Sequence, residues 1–401
     1  VAVLGAGVMG CCTALQLARR GVRVTLVDRA AAAMTGASRW NEGKIHLGYL
    51  YAGDPTLATV ERLLPGGLAF RPSMEALLDE SLTPAIADHD EIYLVHRDSV
   101  VGAEATAAHL SRVAALAAAH PGRRDSLCGD AGRMPVRLTA ADLGRVCDSD
   151  DVVAGFRVAE RSLATPWVAD RLAAAVAGEP RIDLRPGTGV DGVSVLPDGR
   201  YRVRSPQGDD GPYDAVVNAL WQGRLAVDRS MGLAPPAEVS HRYRVAAFVR
   251  TPTAVTLPSV VIGTGPFGDM KRYGDRDVYL SWYPAGLLAD GAGIAPPPTP
   301  RQTPAGDAAI VRAIVEALGR YLPGVRTLDL GAAEVRVRGG WVYASGHGHL
   351  SDPASTLHRR DKVGITAVGR YVSVDTGKYS IAPWLAAQVA DRLTDRHRAQ
   401  V

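Results

Sequence analysis

The sequence predicts an α/β fold, α+β overall, with one domain on a central parallel sheet and a second domain on a mixed sheet. Three observations lead there. The chain opens on an apolar strand, residues 1–4, that runs straight into Gly5, Gly7 and Gly10. A helical face follows through Ala14, Leu15, Leu17 and Ala18, and a second apolar strand at 22–27 ends on Asp28. Much later, residues 235–345 mix strands with one strong helix, which suits a separate sheet rather than more of the first.

Strand, Gly-x-Gly-x-x-Gly, helix, strand, acid is the order of a Rossmann-like dinucleotide site. Gly5 permits the tight turn, Gly7 lets the backbone approach a diphosphate, and Gly10 lets the helix pack on the sheet. The helix N-terminus offers N–H groups to phosphates, and Asp28 can accept from a ribose hydroxyl. Residues 36–51 are too polar for a core helix and too long for a turn, so they are expected to bind something. Residues 55–79 look helical, with a break expected at Pro65-Gly66-Gly67. A strand at 91–96 and an Ala-rich helix at 103–119 follow, then loops to about 150. Thr165 is expected to cap a helix to 177, with Pro166 at its first position. Strands at 182–184, 189–195, 201–204 and 215–220 would complete the first sheet. In the second region, strands are expected at 243–250, 278–283 and 335–342, a helix at 308–321, and an exposed linker at 296–304. Gly364 to Val368 and a helix from about 381 to 393 close the chain.

Composition narrows the partners. The 401 residues hold 45 basic and 42 acidic side chains, a net charge of +3, which makes no case for nucleic acid or an anionic membrane. No apolar run approaches the about 18 residues of a membrane span. No signal peptide precedes the first strand, and a few residues are expected before Val1. Cys11, Cys12, Cys128 and Cys147 form no metal pattern, and with no paired framework a cytoplasmic setting is expected. His347 and His349 look like ligands, but no further ligand stands nearby, so no metal is expected.

Three segments carry a resemblance that spans nearly the whole chain. Asn41-Glu-Gly-Lys-Ile-His46-Leu-Gly-Tyr, Ala215-Val-Val-Asn-Ala-Leu-Trp221 and Tyr379-Ser-Ile-Ala-Pro383 resemble the D-amino-acid-oxidase (DAO) superfamily of FAD enzymes. That group includes glycine and sarcosine oxidases. The first segment is similar to the form in 2-hydroxyglutarate dehydrogenases. The resemblance implies FAD and an FAD-binding domain assembled from residues 1–80, 151–230 and 346–401. A substrate-binding domain would then comprise 81–150 and 231–345. Beyond Gly5, Gly7, Gly10 and Asp28, it implies cofactor contacts from Arg29, and from Ser38, Arg39, Asn41, Gly43 and Lys44 in the wrapping segment. Further contacts are implied at Val190, then at Asn218, Ala219 and Trp221, and at Gly377, Lys378 and Tyr379. Two departures stand out. Asp375-Thr376-Gly377-Lys378 replaces a glycine pair, and no clean match exists for the family's carboxylate-binding arginine segment.

For the chemistry, a C–O substrate needs a base for its hydroxyl proton, and histidine suits neutral pH. His46, in the wrapping segment, leads for that role. A plain hydrogen bond or covalent flavin attachment are its alternatives. His241 begins a strand of the second domain and is weighed between base and structure. Lys271 follows Gly263-Thr-Gly265-Pro-Phe-Gly268-Asp-Met, read as a loop that resembles the sarcosine-oxidase segment placing a lysine over the flavin. There it would stabilise reduced oxygen; a solvated loop lysine is the plain alternative. Lys44 and Lys378 compete for a cationic place at the flavin edge. Substrate anchors are expected among Tyr49, Arg242, Arg272, Tyr279 and Tyr283, with core packing as the other role for the aromatics. The leading expectation is oxidation of an amine or amino-acid-like C–N bond, with O2 as acceptor, in specialised metabolism. Oxidation of a hydroxy acid or alcohol is the alternative, and a non-catalytic flavin-binding module a minor one.

Overall fold

Six strands form the first sheet of the computed structural model, which describes residues 1–398. Their order is Gly364–Val368, Tyr371–Asp375, Val216–Asn218, Ala2–Leu4, Val24–Val27 and Ile182–Arg185. All neighbours run parallel except the first pair. Ala2, Val3 and Leu4 are all buried, as the central strand of a sheet covered on both faces must be. Helices Val8–Arg19, Thr165–Gly178 and Ala382–Arg398 cover one face, through Leu15, Leu17, Leu172 and Leu385. The hairpin strands Gly192–Val195 and Tyr201–Arg204, with Asp210–Tyr213, do not extend this sheet. They make a three-stranded sheet that packs Val193, Tyr201 and Val203 on its other face.

Residues 58–78 correct an expectation. Ala58–Leu78 is one unbroken helix despite Pro65 and Pro72. Gly66 and Gly67 are there for close approach. A Cβ at Gly66 would stand 2.6 Å from Ile381 Cγ2, and one at Gly67 would stand 2.5 Å from the His46 carbonyl oxygen. Thr165 does not cap its helix either. Ala164 holds the cap position, and the Thr165 hydroxyl donates to the Arg39 carbonyl at 2.7 Å. That bond ties the helix to the segment after Gly36.

The second sheet has nine strands. Val239–Arg250 pairs with Glu334–Ser345 along one side, and with Leu287–Ala292 and then Asp277–Trp282 along the other. The sheet continues through Gly268–Tyr273, Val260–Gly263, Glu91–His96, Val152–Val158 and Val136–Arg137. Strand Val152–Val158 therefore belongs to this sheet, although it falls inside the 151–230 stretch assigned to the nucleotide domain. Glu91–His96 shows period-two packing. Ile92 and Leu94 pack with Ile314 and Leu318 of helix Pro304–Gly319, while Tyr93 and Val95 pack with Leu110 and Val113 of helix Ala103–Ala119. All four cysteines are buried and unpaired. Among the described residues no helix is long and apolar enough to cross a membrane, and no group of acidic, His or Cys side chains is placed to hold a metal.

Candidate active site and cofactor cavity

The opening strand delivers its turn to the mouth of a cavity of about 440 Å³. Gly10 lies so close beneath Gly5 that a Cβ there would sit 1.7 Å from the Gly5 carbonyl oxygen. The helix starts immediately at Val8, leaving the Gly5–Val8 backbone facing the cavity. Asp28 is braced for its place. One carboxylate oxygen accepts from Ala6 N at 2.7 Å and the other from Ala30 N at 2.8 Å, and each keeps a lone pair for a further donor. Ser38 Oγ accepts from Val8 N at 2.9 Å, which docks the wrapping segment onto the helix start.

That segment turns on Asn41, whose amide donates to the Ala37 carbonyl at 2.9 Å and accepts from Gly43 N at 2.9 Å. The turn aims Glu42, Lys44 and His46 into the cavity. Arg29, Val190, Ala219, Trp221, Gly377, Lys378 and Tyr379 line it as well. Arg39 and Asn218 do not. Arg39 pairs with Asp170 at 2.7 Å, and Asn218 is buried, with its amide on Asp228 and Tyr371 at 2.9 Å each. Gly43 lies behind the cavity wall, its carbonyl accepting from Leu163 N at 2.9 Å.

Beyond Glu42, Lys44, His46 and Lys378, which line both spaces, lies a second cavity of about 220 Å³. Arg242, Tyr279 and Tyr283 line it, with Arg244, Asp269 and Arg360. The Arg242 Nη1 donates to the Tyr283 hydroxyl at 3.0 Å, and the Arg244 Nη2 donates to Ser281 Oγ at 2.8 Å. The guanidinium of Arg244 also lies 4.3 Å from the Tyr283 ring centre. Two expected anchors, Tyr49 and Arg272, and the candidate base His241 stand elsewhere. Tyr49 is buried away from both cavities. Arg272 turns outward, donating to Asp88 at 2.7 Å and to the Leu257 carbonyl at 2.9 Å. His241 alternates with Arg242 along its strand, so it faces the other way, against Trp341 and Tyr343, with Nε2 3.0 Å from the Gly293 carbonyl.

Lys271 corrects the loop expectation. It lies on strand Gly268–Tyr273, fully buried, in contact with Glu91 and 3.9 Å from Asp269. It lines neither cavity; Lys44 does. Lys44 Nζ donates to Tyr93 at 3.0 Å and lies 3.5 Å from Glu91 and 3.7 Å from Glu160. Burial alone would push both ammonium groups down. The carboxylates Glu91 and Glu160 lift Lys44 above its ordinary value, whereas Lys271, also facing Lys44, stays below its own.

His46 is buried, and both ring nitrogens lack a protein partner. Burial first, then the charge of Lys378, pushes its pKa down to about 3, so the ring is neutral at pH 7. Glu42 Oε1 stands 3.5 Å from His46 Nε2. Burial favours the neutral form of Glu42, but His46 and the Lys378 charge outweigh it and keep the carboxyl below its ordinary range. Sequence reasoning left out Glu42, Arg244, Asp269 and Arg360. Arg244 had a signal: it is two residues from Arg242 on one strand, hence on the same face.

A diphosphate cradle opening through a polar gate into a second, cation-rich cavity defines a flavin-dependent oxidoreductase. The chain belongs to the DAO family, FAD dependent oxidoreductase, whose profile matches residues 1–359. It uses FAD, which the glycine cradle, the wrapping segment and the lining of the first cavity fit. No curated protein matches the chain by sequence. Solved structures share the fold at low identity. Glycine oxidase from Geobacillus kaustophilus is 18% identical, with a TM-score of 0.67 over 98% of this chain and 94% of that one. NikD, an unusual amino acid oxidase essential for nikkomycin biosynthesis, is 17% identical, with a TM-score of 0.68 over 98% and 93%. Iminodiacetate oxidase from Chelativorans sp. BNC1 is 16% identical, with a TM-score of 0.64 over 98% and 95%.

Proposed function

We propose that this FAD-dependent oxidoreductase oxidises the C–N bond of an amino-acid-like substrate and passes the electrons on to O2. The observation that carries the reading is one cavity lined by opposite charges. Arg242 and Arg244 present guanidinium groups, and Glu42, held ionised, presents a carboxylate. A zwitterion, carboxylate at one end and ammonium at the other, matches both. FAD supplies the acceptor for two electrons and a hydrogen from the substrate carbon. Arg242 and Arg244 hold the carboxylate and fix which carbon faces the gate. Glu42 accepts from the substrate nitrogen, the substrate reacts as its neutral amine with the released proton passing to solvent, and neutral His46 offers a ring nitrogen as hydrogen-bond acceptor beside it. The imine so formed hydrolyses to a carbonyl compound and ammonia or an amine. Lys44 and Lys378 place positive charge at the gate, where negative charge gathers as electrons arrive. A place in specialised metabolism fits the fold shared with NikD.

A second reading is favoured by one observation. His46 is buried and both its ring nitrogens lack a partner, so one can accept a hydrogen bond from the hydroxyl of a hydroxy acid. Anaerobic mixing of the holoenzyme with paired amino and hydroxy acids separates the two. Bleaching of the flavin by amino acids alone, with peroxide released on admitting air, supports C–N oxidation by an oxidase. Bleaching by hydroxy acids alone overturns it.

A further inference from the structure

The second cavity holds more positive charge than one carboxylate needs. Arg242 is buried, and its Nε and Nη2 have no partner; the Nε of Arg244 has none either. Arg360 comes from a different part of the chain, the segment before strand Gly364–Val368, and is also buried. Its Nη1 donates only to the carbonyls of Leu357 at 2.8 Å and Arg359 at 2.6 Å. Among the described residues, no carboxylate lies within ion-pair distance of any of these three guanidinium groups, while Arg224, also buried, has Asp228 at 2.9 Å and Asp375 at 3.2 Å. Burial and the nearby charge of Arg242 both push the Arg360 guanidinium down. Both guanidinium groups line the same cavity, and neither has a carboxylate within ion-pair distance.

Buried guanidinium groups that repel one another, with donors unspent, are costly to hold unless an anion arrives. The cofactor's diphosphate does not serve, because none of the three lines the first cavity, where the Gly5–Gly10 turn lies. Facing them inside the second cavity are two carboxylates, Glu42 and Asp269, and two further cations, Lys44 and Lys378. Lys44 is already matched by Glu91 and Glu160. Even with Glu42 and Asp269 counted against the cations, the cavity retains a positive surplus.

We propose that the substrate carries two anionic groups: one carboxylate on Arg242 and Arg244, and a second carboxylate or a phosphate on Arg360. The assignment rests on the proposed function and narrows it to a small doubly anionic substrate. Tyr283 joins the two arginines of the first half, accepting from Arg242 at 3.0 Å with its ring 4.3 Å from the Arg244 guanidinium, so a carboxylate that engages one meets the other already held beside it.

The test reads binding rather than turnover. Holoenzyme is titrated with three unreactive probes, butyrate, succinate and 3-phosphonopropionate, following the flavin absorption band at low salt. At least one doubly charged probe should bind about tenfold or more tighter than butyrate, and the better of the two names the second group. Arg360→Leu should abolish that preference while leaving butyrate within threefold of its original affinity. Arg360→Lys should keep part of the preference, which guards against a Leu variant that fails to fold. Equal binding of all three probes, tighter binding of butyrate, or no binding of any overturns the proposal. If the doubly charged probes bind selectively but no amino or hydroxy acid reduces the flavin, the proposed function falls and the two-anion cavity stands. If simple amino acids reduce it while the charged probes show no advantage, the reverse holds.

Discussion

Lys44 and Lys271 share one carboxylate: Glu91 Oε2 stands 3.5 Å from the Lys44 ammonium and contacts that of Lys271. The two lysines are stacked in depth, with Lys44 at the cavity wall and Lys271 behind it. In the proposed reaction, charge at the reacting centre would come from Lys44, with Lys271 holding Glu91.

Replacing the two lysines by Met should separate these roles. Lys44→Met should slow reoxidation of reduced holoenzyme in air by about tenfold or more, with the protein still folded. Lys271→Met should leave reoxidation largely unchanged; both variants should cost about 3–5 kcal/mol of stability, the usual loss when one member of a buried pair is removed. Stopped-flow reoxidation and urea unfolding read the two effects. Similar reoxidation defects with unchanged stability would contradict the stacking.

The neutrality of His46 has a pH signature. Its folded pKa of about 3 lies below the ordinary 6.5, so the unfolded chain takes up the proton first as pH falls. Stability from this group is present above pH 6.5 and lost progressively as pH falls from there towards 3. For the apoprotein, the loss between pH 7 and pH 5 is about 2 kcal/mol. Glu42, whose folded pKa is lowered, adds its own loss only at lower pH, below its ordinary value of 4.5. Urea unfolding of wild type and His46→Gln at the two pH values isolates the histidine. An equal change in both proteins would refute the assignment.

Gly10→Ala tests the cradle. Its Cβ would collide with the Gly5 carbonyl at 1.7 Å, backbone against backbone, so the turn must open. The purified variant should carry little or no flavin, or be unfolded. Full flavin content with normal stability would show that the turn is not the cofactor site.

Arg242→Met should leave flavin content unchanged and cut kcat/KM by about 10- to 100-fold, mainly through KM, because a charge-assisted bond to the ground-state carboxylate is lost. An unaltered KM would move the carboxylate elsewhere.

Much of this architecture is local and could be read from the chain. Gly5, Gly7, Gly10 and Asp28 sit at spacings dictated by one turn, one helix and one strand. The segment from Ser38 to His46 was legible because its polarity conflicts with any core element. Depth was not legible. Lys44 and Lys271 lie far apart in sequence, and only the docking of the wrapping segment against the second sheet decides which stands in front. Period-two alternation contained more than was drawn from it. Once Gly268–Tyr273 is a strand, Lys271 and Arg272 cannot face the same side, and Arg244 must accompany Arg242 rather than His241. Arg360 lies in an irregular segment with no period, so nothing in its neighbours announces where it points. Gly66 and Gly67 suggested a break because their helix packs closer than a side chain allows, a fact visible only with Ile381 and His46 in place.

Anaerobic stopped-flow mixing of the holoenzyme with matched pairs of 2-amino and 2-hydroxy acids, singly and doubly anionic, tests the account most directly. The account predicts rapid bleaching of the flavin by a doubly anionic amino acid, with an oxo acid and ammonia as products and no reduction by its hydroxy counterpart. Reduction by hydroxy acids alone would contradict it.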